Sequence, residues 1–493
     1  MRTVKNMQIK LGEVDVSQVK IDAKSRDDIP QILRGVQYLY INEEIRHKLF
    51  SALEKAIPKK INKNNGRPGM ELWKIFVLGI LRLNLNCDYD RLQSLANDLR
   101  TVREMLGHGA FDEDHYYQLQ TIKDNVSLLT PDVLSEINDI VVGSGHKLLK
   151  KNETARLVAR SDSFVVKTNV HFPTDINLLF DAVRKAIQLI SRLSDKRGIS
   201  SWRQYQYNIK TVKKAYRKAQ QSKRVNSKNE DEKLNKIQEA HKAYINLVES
   251  FLTKVSQTAN SINETKSLSI TEIANLMEID EYINHGNRQI DQIRRRVLCG
   301  EVIPSEEKVF SLFEPHTEWV YKGKLGVPVE LGVRVCIAED RDQFILHHKI
   351  MWNETDEKLT VPMAKEVKER FPNLSSMSYD RGFYSRDNRD QLTDLLGSHG
   401  LPKKGKISKK DEEIQANEDY IKARKKHSAV ESAINALNVH GLDLCPDHGK
   451  TGFARYIALA VVARNVQRIG AILQKKEQRL LVLREKRRKL KAA

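Results

Sequence analysis

The sequence predicts a mixed α/β protein in which strand-forming segments are separated by a long helical stretch. β-Branched and aromatic residues cluster at Leu157–Val170, and two or three further strands are predicted within Glu318–Met351. Between them, residues 175–309 place apolar side chains at helical spacing among many charged ones. The strands therefore form one core that a large helical insertion interrupts after the first core strands.

The length of the chain indicates several domains. A chain of 493 residues is too long for one ordinary hydrophobic core, and two to four domains are expected. The patterns predict a helical N-terminal region, first core strands, a helical insertion, the remainder of the core and a basic tail that frays from the fold. The predicted boundaries are 1–155, 156–174, 175–309, 310–473 and 474–493.

The charge balance indicates the kind of partner. Lys and Arg number 84 against 64 Asp and Glu, a net charge of +20, which favours a polyanion such as DNA or RNA over an anionic membrane surface. The four cysteines lack any C-x-x-C spacing, so neither a disulfide framework nor a zinc finger is indicated, and a reducing cytoplasm fits. No secretory signal is predicted. The apolar stretch Leu72–Leu85 is too short to span a bilayer, so no membrane association is expected.

The N-terminal region is predicted to be helical and to bind DNA. Two segments, Tyr89–Leu106 and Asp112–Leu129, could form the helices of a helix-turn-helix, although many small helical bundles contain such a pair. Arg67 lies in a "GRP" sequence, which is either an arm that enters the minor groove or a simple turn.

The insertion contains the densest positive segment of this part of the chain. Trp202–Lys228 carries nine basic residues and no acidic one, and tryptophan and tyrosine are interleaved with them. Basic and stacking groups together suit a nucleic-acid backbone. The alternative is a solvated helix face whose tyrosines pack into a helical hairpin. The candidate DNA contacts are Lys213, Lys214, Arg217 and Lys218.

Three carboxylates are candidates for catalysis. Asp162 lies in the first predicted strand, where a half-buried carboxylate requires a hydrogen bond or a cation. Asp380 ends a later short strand, and Glu431 lies on a following predicted helix. This order is compatible with a ribonuclease H-like core, in which such carboxylates converge on metal. Oxygen ligands suit Mg²⁺ or Mn²⁺, and two such ions can support an in-line phosphoryl displacement.

Four sequence blocks carry a family resemblance. They are "SDSFVVKTNVHFPTD", "FEPHTEWVYKGKLGVPVELG", "YDRGFYS" and "HSAVESAINALNVHGLDLCPDHGKTGFARYIALAVVARNVQRIG". Together, and in this order, they resemble the conserved blocks of bacterial insertion-sequence transposases of the DDE class, in particular the ISNCY group. The resemblance covers about residues 66–470. It implies a catalytic and metal-binding triad of Asp162, Asp380 and Glu431.

The resemblance also implies an activity and its partners. A protein of this class binds the terminal inverted repeats of its element, cleaves to expose 3′-hydroxyls and joins them to target DNA. Its partners are double-stranded DNA and a second protomer or more in the synaptic complex, and its location is the bacterial cytoplasm, on the nucleoid when DNA is bound. The alternatives are a structure-specific nuclease or resolvase without strand transfer, and an inactive DNA-binding protein, which the three intact acids argue against.

The sequence departs from the family pattern around Glu431. Related transposases often place Arg four residues before this Glu and Lys seven residues after it, for gripping phosphate, whereas this chain has His427 and Asn438. His427 and its basic neighbours Lys425 and Lys426 are therefore candidate phosphate contacts. Further candidates, which could equally be plain surface charge, are Lys322, Lys324 and Arg381.

Overall fold

A computed structural model gives the fold. It describes residues 2–6, 8, 12–58, 68–109, 112, 115–150, 155–224, 229–265, 267–322, 328–407 and 409–492. The mixed α/β prediction is confirmed, with a seven-stranded mixed sheet. The chain forms two compact units, the first comprising residues 1–169 and 320–493 and the second residues 170–319. The second unit overlaps the predicted insertion and extends beyond both of its predicted ends.

Short helices make up the N-terminal part of the first unit. Within the described residues they are α1 (Asp28–Ile41), α2 (Glu43–Glu54), α3 (Leu72–Asn84), α4 (Tyr89–Asp98), α5 (Arg100–Met105), α6 (Leu119–Val126) and α7 (Pro131–Leu148). The two long helices of the suggested helix-turn-helix do not form. Leu99 adopts an extended conformation that separates α4 from α5, and α6 begins only at Leu119.

The second unit contains four long helices that pack on one another: α8 (Asp175–Lys196), α9 (Tyr205–Ser222), α10 (Glu230–Asn263) and α11 (Ile270–Ile293). Their apolar faces enclose a core of their own, which includes Ile190 and Val248. Trp202 is fully buried in this core, and its Nε1 donates to Thr258 Oγ1 at 3.1 Å. Trp202 is therefore a packing residue, unavailable for the nucleic-acid stacking that the sequence pattern allowed.

The sheet brings together strands from three parts of the chain. They are β1 (Leu157–Thr168), β2 (Glu318–Tyr321), β3 (Val329–Asp340), β4 (Ile345–Met351), β5 (Leu374–Ser378), β6 (Ser398–Gly400) and β7 (Leu444–Cys445). β1 lies between the antiparallel β3 and the parallel β5. β3 also pairs with β2 and β4, β6 continues the sheet in parallel beyond β5, and β7 pairs with the end of β1.

The C-terminal helices are α12 (Asp356–Arg370), α13 (Arg386–Leu396), α14 (Lys409–Ala416), α15 (Glu418–His427), α16 (Val430–Leu437) and α17 (Gly449–Ala492). α17 differs from the prediction, because the basic tail expected to fray continues as the end of this helix. Its Glu477 pairs with Arg34 of α1, which holds the start of the tail. α17 is also long and apolar enough to cross a membrane, but 72% of its most apolar window is buried inside the protein.

One hydrophobic core joins the N-terminal helices to the sheet. α17 packs against α1, α3 and α7, and α7 and α17 also contact β4. At that contact, Asn465 of α17 accepts from Ile345 N at 2.9 Å and donates to Asn138 of α7 at 2.7 Å. The predicted N-terminal region is therefore part of the first unit rather than a separate compact body. A fragment of residues 1–155 would expose the faces that α17 and the sheet cover.

Two glycines allow α1 and α17 to cross closely. A Cβ on Gly470 would lie 1.9 Å from the carbonyl oxygen of Gln31, and one on Gly35 would lie 2.2 Å from that of Val466.

Gly470→Ala is therefore expected to destabilise the protein by about 3 kcal/mol, since the helices must separate. Gly143→Ala in α7 is the matched control, because nothing lies within 4 Å of its Cβ. It should raise stability by about 0.5–1 kcal/mol. Urea unfolding of both variants measures the difference, and equal effects would contradict this packing.

Candidate catalytic carboxylate site

Asp162 lies near the middle of β1, opposite Ile337 of β3. Its side chain is half-buried, and Oδ1 accepts from the backbone N–H of Ser163 at 2.7 Å. The β-branched and aromatic residues that follow, such as Phe164 and Val166, are buried in the core and fix this part of the strand. Asp162 therefore sits on a rigid central strand.

Asp380 follows the strand that pairs with β1 on its other side. Arg160 of β1 and Ser378 of β5 are register partners, and Asp162 and Asp380 each come two residues later. Parallel strands in a sheet lie about 4.8 Å apart, so equal offsets bring the two residues to the same level of the sheet. Asp380 is exposed, and its carbonyl oxygen accepts from Phe383 N at 3.2 Å in a short turn.

Glu431 is supplied by a helix that packs against β1. Glu431 lies on a helix, as predicted, and this helix is α16, which begins at Val430 after α15 has ended at His427. Glu431 lies exposed in the first turn of α16, and both helices contact β1. All three predicted acids thus belong to the first unit: one lies on β1, one directly after the neighbouring β5, and one on a helix that contacts β1.

The neighbouring carboxylates act on Asp162 electrostatically. Burial raises the pKa of Asp162 to about 6, and the negative charges of Asp380, Asp356 and Glu431 add to this rise. The bond from Ser163 N acts in the opposite direction. Within the described part of the chain, the oxygens of the three predicted acids do not all come within 4.8 Å of one another. For all three acids to bind one cation, their side chains would therefore have to move closer together.

Asp356 is an acid of this site that sequence reasoning missed. It opens α12, and its Oδ1 accepts from Ser163 Oγ at 2.6 Å, directly beside Asp162. Arg334 Nη1 lies 3.7 Å from its other oxygen. Asp356 lies in the first turn of α12, where acidic residues are common because they interact favourably with the helix dipole. No local signal distinguished it.

The basic residues beside Glu431 occupy different environments. Lys425 and Lys426 are exposed, whereas His427 is buried and its Nδ1 meets Ser378 Oγ at 3.1 Å. Burial lowers the pKa of His427 to about 4, so its ring is neutral at pH 7. Arg424, which is half-buried, donates from Nη1 to the carbonyl oxygen of Tyr379 at 2.7 Å, next to Asp380. The buried His427 offers little surface to a DNA phosphate.

The remaining predicted DNA contacts are dispersed. Arg381 is exposed beside Asp380, and Lys322 is paired with Glu330 at 2.6 Å. Arg67 and Lys324 lie outside the described residues.

The basic helix α9 has two kinds of side chain. Its candidate contacts are exposed and form no ion pair within the described part of the chain: Lys213, Lys214, Arg217 and Lys218. Tyr216 instead faces the bundle, where its hydroxyl donates to Asn177 Oδ1 at 2.6 Å and its ring stacks on Phe180 at 5.4 Å. α9 therefore presents a positive face to solvent and a packed face to its own unit.

A second polar group, which the sequence did not reveal, could hold a metal ion. The ligand atoms of His108, Asp112 and His115 all lie within 4.8 Å of one another. His108 Nδ1 contacts Asp112, its Nε2 contacts the hydroxyl of Tyr117 at 2.6 Å, and its ring stacks on His115 at 4.5 Å. Burial lowers the pKa of His108 to about 4, and Lys74 adds to this shift. The group lies in a loop, where ligand spacing follows no helical or strand period.

Comparisons with known proteins add no relative: no family model, no curated protein and no solved structure matches this chain.

The raised pKa of Asp162 predicts a pH-dependent gain from removing its charge. The folded protein holds a proton on Asp162 up to about pH 6, whereas the usual pKa is 3.8. Ionised Asp162 therefore costs stability above pH 6, and this cost disappears as pH falls below 4. In chelator, Asp162→Asn should raise the free energy of unfolding at pH 8 by on the order of 1 kcal/mol and leave it unchanged at pH 3.5. Asp419→Asn, an exposed control on α15, should not raise the free energy of unfolding. If Asp162→Asn lowered the free energy of unfolding at pH 8, the ionised Asp162 would not be destabilised by burial and by its acidic neighbours.

Proposed function

We propose that this protein is a DDE-type DNA transposase with a ribonuclease H-like core. Asp162, Asp380 and Glu431 form its catalytic, metal-binding triad. The resemblance of four sequence blocks to ISNCY-group transposases and the net charge of +20 support this function. In this proposal double-stranded DNA is the substrate, and at least two protomers assemble because two transposon ends must be brought together.

The strand arrangement supports the proposed core. The first strand is central, an antiparallel pair lies on one side, and parallel strands lie on the other. The helical second unit is inserted directly after β1, the strand that carries Asp162. An acid on β1, a second one directly after β5 and a third on a helix that contacts β1 are the arrangement expected for this core.

One observation carries the functional proposal: Asp162 is half-buried and lies within electrostatic range of three further carboxylates. Such a concentration of negative charge is unfavourable unless cations neutralise it. The donors are all oxygen atoms, which suits Mg²⁺ or Mn²⁺ better than metals that prefer nitrogen or sulfur. Asp162, Asp380 and Glu431 would hold the ions, and Asp356 would orient Ser163 beside them.

The chemistry follows from this placement. Two divalent cations bound there would supply activation of the nucleophile and stabilisation of the leaving oxygen. The protein's part is to hold the scissile phosphate against β1 and β5 with the exposed Arg381, Lys425 and Lys426, which can bind phosphate oxygens. Cleavage is attack by water on the phosphodiester at the transposon end, which releases a 3′-hydroxyl. Joining is attack by that 3′-hydroxyl on a phosphodiester of the target DNA, which releases a target 3′-oxygen. Because both steps are phosphoryl transfers, one site can serve them in turn.

Product analysis tests the function. The full-length protein is incubated with Mg²⁺, a labelled duplex carrying the inverted repeats that flank its gene, and a plasmid target. Covalent joining of the repeat's 3′ end to the plasmid is expected, and Glu431→Gln should remove it. Cleavage without joining would favour a nuclease or resolvase, and binding without cleavage would favour an inactive DNA-binding protein.

The exposed basic face of α9 makes a separate prediction about DNA affinity. Replacing Lys213, Lys214, Arg217 and Lys218 by Gln should lower the slope of log affinity against log salt by up to about four units, since each phosphate contact contributes about 0.9. Base preference should not change. The matched control replaces four exposed basic residues of the α17 end by Gln: Arg484, Lys486, Arg487 and Arg488. Equal slopes for the two variants would mean that only net charge matters and that α9 makes no local contact.

A further inference from the structure

The second unit contains a cavity that the proposed chemistry does not use. Its volume is about 270 Å³, close to the lower limit of small-molecule pockets at about 300 Å³. It lies among the start of α8, the first half of α10, the end of α11 and the segment 308–319. Three kinds of lining side chain are informative: a cluster of aromatic rings, a buried histidine and a group of cations.

The aromatic rings form one wall of the cavity. The rings of Phe172 and Phe310 each lie 5.6 Å from that of Trp319, measured between centroids. Although they contact one another, Phe172 and Trp319 remain 61% and 41% exposed, so part of each ring is free to contact a ligand. Exposed aromatic rings that line a cavity provide a stacking surface for a flat ligand.

The histidine supplies an unused hydrogen-bond acceptor. His241 is fully buried and lines the cavity. Its Nδ1 lies 2.7 Å from the carbonyl oxygen of Ile237, an arrangement in which Nδ1–H donates. Its Nε2 has no partner among the described residues, and burial lowers the pKa of the ring, which leaves Nε2 unprotonated at pH 7. Because a buried acceptor without a partner is costly, a ligand with an N–H or O–H group would be favoured here.

The cations give the cavity an excess of positive charge. Lys223, Arg296 and Lys308 line it together with one carboxylate, Asp175. Arg296 Nη1 is paired with Asp175 Oδ2 at 2.8 Å, whereas Lys223 and Lys308 form no ion pair within the described part of the chain. Two lysines beside a satisfied ion pair suit an anion such as a phosphate.

We infer that this cavity binds a nucleotide. The base stacks on Trp319 and its neighbours, a donor of the base or sugar bonds His241 Nε2, and the phosphate lies against Lys223 and Lys308. The same chemistry is offered by a free mononucleotide and by an unpaired nucleotide at the end of a DNA strand. Binding of the free nucleotide is independent of the proposed function, whereas the strand-end source rests on it.

Titration calorimetry of the full-length protein in chelator tests the inference. The probes are dAMP, dTMP and inorganic phosphate. A deoxynucleotide should bind at least about tenfold more tightly than phosphate, and His241→Phe and Lys308→Gln should each weaken it about tenfold, as expected for one lost polar contact. Lys242→Gln, an exposed neighbour on α10, is the matched control and should bind normally. His241→Phe should melt no lower than the wild type, since it removes an unpartnered acceptor.

A second arm separates the two sources. A duplex with a one-nucleotide 3′ overhang is compared with a blunt duplex, using Glu431→Gln protein so that cleavage plays no part. If the cavity binds an unpaired nucleotide at a strand end, the overhang duplex should bind more tightly than the blunt duplex, and dAMP should compete with it. If the cavity binds only a free nucleotide, the two duplexes should bind equally, and His241→Phe and Lys308→Gln should weaken the binding of dAMP and dTMP alone. The inference is overturned if neither probe saturates, if phosphate binds as tightly as dAMP, or if folded His241→Phe and Lys308→Gln proteins both keep full affinity.

Discussion

Asp162→Asn is expected to reduce metal-dependent DNA cleavage by at least about 10³-fold, because loss of a charged ligand should forfeit several kcal/mol of transition-state stabilisation. Asp380→Asn and Glu431→Gln should act alike, since each removes one of the converging charges. DNA affinity should change little, because the exposed basic residues that we propose as phosphate contacts are untouched.

Cleavage and gel-shift affinity are measured side by side on the same preparations. Asp419→Asn is the matched control, because it makes the same chemical change at an exposed position of α15. It should cleave at the wild-type rate. A triad variant that cleaves normally would remove its residue from the proposed site, and equal loss of cleavage and binding would indicate a folding defect.

Glu339→Ala is expected to destabilise the protein by about 3–5 kcal/mol, because it leaves a buried arginine without its partner. Arg160 of β1 and Glu339 of β3 are opposed in the sheet, and Arg160 Nε lies 2.6 Å from Glu339 Oε2. Arg160 also donates from Nη1 to the carbonyl oxygen of Lys426 at 3.3 Å. The pair therefore ties the strand of Asp162 to β3 and to α15, so its loss should disturb the site as well.

Urea unfolding of single and double variants separates pairing from packing. Replacing both partners, with Arg160→Met and Glu339→Leu, should recover most of the loss, since no buried charge remains. Glu232→Ala breaks the exposed pair with Lys236 on α10 and should cost only about 0.3–0.5 kcal/mol. A double variant as unstable as Glu339→Ala would mean that packing around these side chains, rather than the unpaired charge, sets the cost.

The parts of the candidate site that depend on local sequence patterns could be predicted from the sequence. β-Branched residues marked β1 around Asp162, and the positions of Asp380 after a short strand and Glu431 on a helix were readable in the same way. The proximity of these acids follows from the parallel register of β1 and β5, which local patterns do not specify. Asp356 was missed for the same reason, because only the tertiary fold places the start of α12 beside Ser163.

Packing explains the other differences from the predictions. The N-terminal helices bury apolar faces against α17 and therefore do not form a separate domain. Because α17 is distant from them in the sequence, no local pattern reveals this contact. The basic end of α17 was predicted to fray because charge patterns alone do not report contacts such as that of Glu477 with Arg34. Trp202 was a candidate for stacking on nucleic acid because it lies among basic residues in the sequence, but the helices of the second unit bury it.

The position of bound Mn²⁺ shows whether Asp162, Asp380 and Glu431 form a metal site. Crystals of the full-length protein are grown with Mn²⁺, and anomalous difference density is calculated at the manganese absorption edge. A peak is expected at about 2.0–2.2 Å from carboxylate oxygens of Asp162 and Asp380, with Glu431 turned toward it. The peak should be absent in Asp162→Asn. A peak only among His108, Asp112 and His115, with none between β1 and β5, would contradict the account.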